Sequence, residues 1–185
     1  MSKIWFTSDL HFCHDRDFVW QERGFNSIQE MNEKIVENFN SVIELDDILY
    51  ILGDCMLNDN EAGEKYLSQI NGKKIFIRGN HDTDTRVEEI YKKYTDEEIK
   101  WADVIKYKKK SIYLSHYPTI VTNAGEWHNL VLNFYGHTHQ KTNFYQDYVN
   151  MYHVGVDSHN CYPVLIDDAI EEIKTKIKGE VNYEK

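Results

Sequence analysis

The spacing of hydrophobic positions changes along the chain, and each change marks an element. Residues 4–8 (Ile-Trp-Phe-Thr-Ser) form a short apolar and β-branched run that stops at Asp9, the pattern of a buried strand. Over residues 27–44, Ile28, Met31, Ile35, Phe39, Val42 and Ile43 recur every three or four positions. That period predicts an amphipathic helix, and Ser27 with Glu30 predicts a capping box at its start. Residues 47–52 are almost continuously apolar and end at Gly53-Asp54, as a strand buried on both faces would. A helix over 61–70, an Asn71-Gly72 turn and a strand over 74–78 follow, and that strand again ends in polar residues, Gly79-Asn80-His81-Asp82.

Strand, helix, strand, helix, strand is the βαβ pattern, so at least part of the sheet is expected to be parallel. The second half reads as a helix over 86–100, a hairpin of 104–107 with 111–115, and strands at 130–135 and 151–156. A C-terminal helix is expected over 166–177. Lys108, Lys109 and Lys110 fall between the hairpin strands and are read as a solvated turn. In open α/β sheets ligands bind beyond the carboxyl ends of the strands. Those ends are where this chain places its most reactive side chains.

The length of 185 residues suits one domain, taken as 1–185, without disulfide support. The formal charge of −10 disfavours broad binding to nucleic acid or to an anionic membrane. Three cysteines with no CxxC spacing, no signal-peptide core and no run of about 18 apolar residues point to a cytoplasmic protein.

Five polar clusters follow five expected strands: Asp9 with His11, Asp54, Asn80 with His81, His116, and His137 with His139. All of these residues offer oxygen or nitrogen, and none offers sulfur. Such donors suit zinc, manganese or iron better than calcium or magnesium alone. Asp9 and His11 are two apart, as are His137 and His139, so each pair would face one site if the backbone there were extended.

The blocks Asp9-Leu10-His11, Gly53-Asp54, Gly79-Asn80-His81-Asp82, His116 and Gly136-His137-Thr138-His139 resemble, in order, the motifs of the calcineurin-like metallophosphoesterase family. The likeness is strongest to its small bacterial and phage members, which share the opening around Phe6-Thr7-Ser8-Asp9 and the His116-Tyr117-Pro118 block. Cys13 stands where that subgroup often has glycine. The resemblance implies an α/β/β/α sandwich of two mixed β-sheets flanked by helices. It also implies two divalent transition-metal ions, with manganese favoured and iron, zinc, nickel or cobalt as alternatives. Asp9, His11 and His139 would hold the first ion, and Asn80, His116 and His137 the second. Asp54 would bridge them, and His81 would give a proton to the leaving group or position the phosphate.

The implied function is hydrolysis of phosphomonoester or phosphodiester bonds by water activated at the metals, on a small phosphate-ester substrate. The alternatives are a non-catalytic metal-binding scaffold on the same fold and a small nuclease or cyclic-nucleotide phosphodiesterase. A scaffold would be expected to lose the proton donor or the bridging carboxylate, and both are present. Substrate choice would fall to the loops at 15–26 and 119–129, and the short chain favours an open cleft and a small or flexible phosphodiester. Around the core set, Asp82 is read as orienting a histidine and Arg78 as a salt bridge at a strand end. Cys13 and Cys55 are read as apolar filler. His14 is left between a phosphate contact and no role. Tyr117 and Trp127 are read as possible pocket walls, and His128, His153 and His159 receive no role.

Overall fold

Short apolar runs become two four-stranded sheets in the computed structural model, which describes residues 2–121 and 130–183. The first sheet has the order β3 (Lys73–Ile77), β2 (Ile48–Leu52), β1 (Ile4–Thr7) and β8 (Val164–Leu165). β1, β2 and β3 run parallel, and β8 joins β1 antiparallel. The second sheet has the order β4 (Ala102–Tyr107), β5 (Lys110–Ser115), β6 (Leu132–Tyr135) and β7 (Met151–His153). There β4 and β5 form the expected hairpin, and β5, β6 and β7 run parallel.

The near-continuous apolar runs are explained by burial on both faces of the first sheet. Trp5, Leu49, Ile51 and Phe76 point to one side, where they pack against Met31, Ile35 and Phe39 of α2 (Ile28–Asn40) and Leu67 of α3 (Asn60–Gln69). Their neighbours Phe6, Leu52 and Ile77 point to the other side and meet Ile112, Leu114, Leu132 and Phe134 of the second sheet. Phe6 and Phe134 meet edge to face with ring centres 5.0 Å apart. α5 (Ile166–Tyr183) closes this inter-sheet core with Ile166, Ala169, Ile170 and Ile173. The architecture is the expected one: two mixed sheets flanked by helices.

The capping box forms with one variation. The Ser27 hydroxyl accepts the Glu30 N–H at 3.1 Å, while the Glu30 carboxylate takes the N–H of Asn26, at 2.8 Å, rather than that of Ser27. Other elements depart from the pattern. The helix expected over 86–100 is only α4 (Asp84–Glu89) and a 3₁₀ turn at Tyr91–Lys93. Tertiary packing overrides the polar helical pattern there: Tyr91 stacks flat on Phe76 at 4.7 Å, and Lys100 pairs beside Ile77 at the edge of β3. The loop at 15–26 contains a four-residue helix, α1 (Asp17–Trp20), and the two-residue β8 is too short for a periodicity to reveal. Lys108 and Lys109 form the expected turn with left-handed backbone, but Lys110 begins β5 and is buried.

The two sheets meet at the carboxyl ends of their parallel strands. Asp9 and His11 donate backbone N–H groups to the carbonyls of Gly53 and Asp54, at 3.1 and 3.0 Å, which ties the loop after β1 to the loop after β2. Gly136 donates to the His116 carbonyl at 2.9 Å, and Ser8 pairs with Gly155 across the two sheets. All five motif-bearing segments therefore converge on one edge of the sandwich.

Candidate metal centre

The backbone at this edge is strongly kinked. Asp9, His11, Asp54, His137 and His139 all have positive φ, between 48° and 68°. The two-apart pairs are thus not extended, contrary to the expectation from strand alternation. Each member of the two pairs instead occupies a left-handed conformation. Asp and His tolerate this region better than most residues, and strain of this kind concentrates at functional sites. Cys13, where the motif often has glycine, is also left-handed at φ 62°.

Glycines let the segments approach closely. A Cβ on Gly79 would collide with the Asp54 carboxylate, and one on Gly136 would collide with Ser8 and the Asp9 carboxylate. Asp82 is buried beneath these loops. Its carboxylate accepts the backbone N–H groups of Asp54 (3.0 Å) and Gly79 (2.8 Å) and the Tyr91 hydroxyl (2.7 Å). It orients the two loops, not a histidine as expected from the sequence.

Three histidines present the same nitrogen to the two carboxylates. His116 holds its Nδ1 against the Leu52 carbonyl at 2.8 Å, His139 against Asp157 at 2.9 Å, and His11 against His14 Nδ1 at 3.1 Å. Their Nε2 atoms face inward. His116 Nε2 lies 3.4 Å from Asp54 Oδ2, His139 Nε2 lies 3.7 Å from Asp9 Oδ1, and His11 Nε2 lies 3.9 Å from both Asp9 Oδ1 and Asp54 Oδ2. The longer of these separations exceed hydrogen-bonding distance but leave room for a cation between the donors. Asp9, His11 and His139 form one group able to hold a metal, and Asp9, Asp54 and His116 form another. The Asn80 carbonyl oxygen stands 2.9 Å from His116 Nε2. His137 packs its ring 5.0 Å from that of His116 and donates its backbone N–H to Asp9 Oδ2 at 2.8 Å.

The donor set fits divalent ions on structural grounds. Asp9 Oδ1 and His11 Nε2 are buried without any hydrogen-bond partner. Such orphaned polar atoms are costly unless something else satisfies them. Burial pushes the Asp9 carboxyl above its ordinary pKa and the His11 ring well below its own. Burial also works against ionisation of Asp54, yet the adjacent His116 and the His81 N–H hold its carboxyl at about 2. His116 is raised to about 9, because Asp54 and Asp9 outweigh the burial that disfavours its cation. Without metal, protons thus supply part of the positive charge that these carboxylates require.

The profile of the calcineurin-like phosphoesterase family matches residues 2–176. The chain belongs to that family. The expected enzyme class, a metal-dependent phosphoesterase, is the class of the family, and the Asp and His groups able to bind metal are in place. An uncharacterised protein of Methanocaldococcus jannaschii is 42% identical over 84 residues, and the Gene 66 protein of Mycobacterium phage L5 is 35% identical over 86. These matches cover 44% of this chain and only 48% and 41% of the two relatives. The Gene 66 protein of Mycobacterium phage D29 matches at 26% identity over 96% of this chain and 98% of its own. The fold is shared with the Aquifex aeolicus protein AQ665 (TM-score 0.68, 24% identity, covering 91% and 97% of the two chains). It is also shared with an archaeal phosphodiesterase (TM-score 0.51, 20% identity, 83% of each).

His81 is exposed at the mouth of the site. Its N–H donates to Asp54 Oδ1 at 2.9 Å, and its carbonyl accepts from the buried Arg86 guanidinium, so its backbone is held at both ends. Arg78 makes the expected salt bridge, to Asp84, and stacks on Trp101. Tyr117 packs its ring 4.7 Å from His137 and 5.3 Å from His116, forming a wall of the site. Trp127 and His128 lie outside the described residues.

Two residues of the arrangement escaped the sequence reading. Asp157 accepts His139 Nδ1–H and is held by Arg23 through two bonds, at 2.9 and 3.0 Å. Arg23 also donates to the Asp9 carbonyl at 2.8 Å, which fixes the first kink. Asp157 does follow an apolar run over 151–156, the same strand-end signal that marked the other blocks. His14 has a defined partner in His11. Cys55 and Cys161 are core residues, and all three thiols are free. Among the described residues no helix is long and apolar enough to cross a membrane.

Proposed function

We propose that the protein is a dinuclear, manganese-dependent phosphoesterase that hydrolyses phosphodiester or phosphomonoester bonds of small substrates. The observation that carries this reading is the convergence of three inward Nε2 atoms on Asp9 and Asp54, with Asp9 Oδ1 and His11 Nε2 left unpartnered. Asp9, His11 and His139 would hold one ion, and Asn80, His116 and His137 the other. Asp54, placed between His11 and His116, would serve both. When bound, two divalent ions supply the positive charge that lowers the pKa of a shared water and neutralises phosphoryl oxygens.

The chain's own residues do the rest. The Leu52 carbonyl and the Asp157 carboxylate accept only, so they fix the tautomers of His116 and His139 and leave a lone pair on each Nε2. His14 Nδ1 holds the His11 ring with its Nε2 inward. His81 is set beside Asp54 through its backbone, while its exposed ring faces the approach to the site. In this reading it would deliver a proton to the departing oxygen as the P–O bond breaks. Imidazole-rich donors favour manganese, iron, cobalt, nickel or zinc over magnesium. The free thiols suit a reducing compartment, and we place the protein in the cytoplasm.

A panel of chromogenic phosphate mono- and diesters, assayed on chelated protein with manganese restored, tests this reading. Metal-dependent release of nitrophenolate is the expected result. Absence of hydrolysis across the whole panel with manganese bound would overturn it.

A further inference from the structure

Arg86 stands on the short helix α4 and is only 9% exposed. Arginine is seldom buried so far unless a carboxylate meets it. Here Nε donates to the side-chain oxygen of Asn60, the first residue of α3, at 2.7 Å, and Nη1 donates to the His81 carbonyl. Both acceptors are neutral, and they return less of the desolvation cost of a cation than a carboxylate would. The backbone beneath the side chain is also fixed, because the Arg86 N–H donates to the Thr83 hydroxyl at 3.3 Å. The His81 loop is gripped again one residue on, where Arg78 Nε donates to the Asp82 carbonyl at 2.9 Å. On its amide side His81 is tied to Asp54 Oδ1 at 2.9 Å. Its ring is exposed and borders the cavity that His11 and His139 also line, so the backbone decides where the ring can reach.

We propose that Arg86 is a positioning residue for proton donation, acting through the His81 carbonyl. The inference rests on the phosphoesterase reading above and deepens its proton-transfer step. In that step water adds to phosphorus, the bond to the leaving oxygen breaks, and that oxygen takes the proton from the His81 ring. Buried and bonded at two of its nitrogens, the guanidinium is not offered to substrate. It controls the peptide unit that carries His81. The bond to the His81 carbonyl comes from a charged donor, which makes it stronger than one from a neutral group. Asn60 anchors the guanidinium in turn to α3, a helix packed on the first sheet through Leu67. A fixed backbone limits the arc that an exposed imidazole sweeps, and proton transfer needs an approach of about 2.6–3.2 Å between heavy atoms. A small displacement of the acid is therefore costly to the rate even where the fold is unchanged.

The test uses two diesters on manganese-loaded protein: bis(4-nitrophenyl) phosphate, whose leaving group needs little protonation, and diphenyl phosphate, whose leaving group needs more. Arg86→Gln should keep the manganese content and the KM of wild type. Its kcat should fall about tenfold on diphenyl phosphate and stay within about twofold of wild type on bis(4-nitrophenyl) phosphate. In a His81→Ala background, Arg86→Gln should change the ratio of the two kcat values no further, since residues that act as a unit are not additive. If Arg86→Gln fails to fold, Asn60→Ala loosens the same guanidinium and should move the ratio in the same direction by a smaller factor. A ratio that stays at the wild-type value, or one that changes further when His81 is already absent, overturns the inference and leaves the phosphoesterase reading standing. If wild type cleaves neither ester, the phosphoesterase reading falls and takes the inference with it.

Discussion

The Asp157 carboxylate accepts the Nδ1 hydrogen of His139 at 2.9 Å while the Arg23 guanidinium grips the same carboxylate from the other side. These contacts hold Asp157 well below the ordinary carboxylate range despite its burial, and they turn His139 Nε2 toward Asp9. Partners of this kind set metal affinity without touching the metal. Asp157→Asn should therefore weaken manganese binding by about 10- to 100-fold. Calorimetric titration of the chelated variant checks this, and unchanged affinity would show that His139 needs no such support.

Asp54→Asn should cost metal and most of the activity, since a neutral amide cannot offset two cations. Its carboxylate is held at about 2 by His116 and the His81 N–H even without metal, so the wild-type group is charged at any working pH. Elemental analysis of the purified variant is the check. Two ions retained at full occupancy would remove Asp54 from its place between the sites.

His81→Ala separates binding from proton transfer. The ring is exposed, so its loss should leave the fold and both ions in place while the rate falls by about 10²-fold or more. The deficit should shrink with a nitrophenolate leaving group, which departs with little need of a proton. If metal content drops with the rate, His81 is a ligand instead.

The architecture was largely legible in the sequence, because strands buried on both faces announce themselves as unbroken apolar runs. Asp9, His11, Asp54, His116 and His139, which the fold brings into two groups able to hold a metal, stood out in the sequence because they recur at strand ends in chemically matched types. What the pattern could not reveal is how they are brought together. The paired motifs converge through left-handed kinks at Asp9, His11, His137 and His139, and backbone conformation of that kind leaves no periodic trace. Asp157 and Arg23 are 134 residues apart, a pairing that only tertiary structure discloses. The helix expected over 86–100 fails for the same reason, since the stacking of Tyr91 on Phe76 is a long-range contact.

His153, which received no role from the sequence, gives the fold a pH dependence. It is fully buried, with Nδ1 against the Ser158 hydroxyl at 2.7 Å, and burial lowers its pKa from 6.5 to about 3. Because the folded value lies below the unfolded one, the contribution is complete above pH 6.5. It is lost as pH falls from there toward 3, where the unfolded chain takes a proton that the folded chain refuses. The slope approaches about 1.4 kcal/mol per pH unit. Urea unfolding at pH 7 and pH 5 should show this loss in wild type and a smaller one in His153→Gln. Equal losses in both would assign the acid sensitivity elsewhere.

If the converging carboxylates and imidazoles hold two divalent ions, phosphoester hydrolysis should require both in place. Counting bound metal and measuring bis(4-nitrophenyl) phosphate hydrolysis in the same samples, as chelated protein is titrated with manganese, tests it most directly. The chelated protein should be inactive, activity should be full at two manganese ions per chain, and magnesium at the same concentration should restore little. Hydrolysis by the metal-free protein, or full activity with magnesium alone, would contradict it.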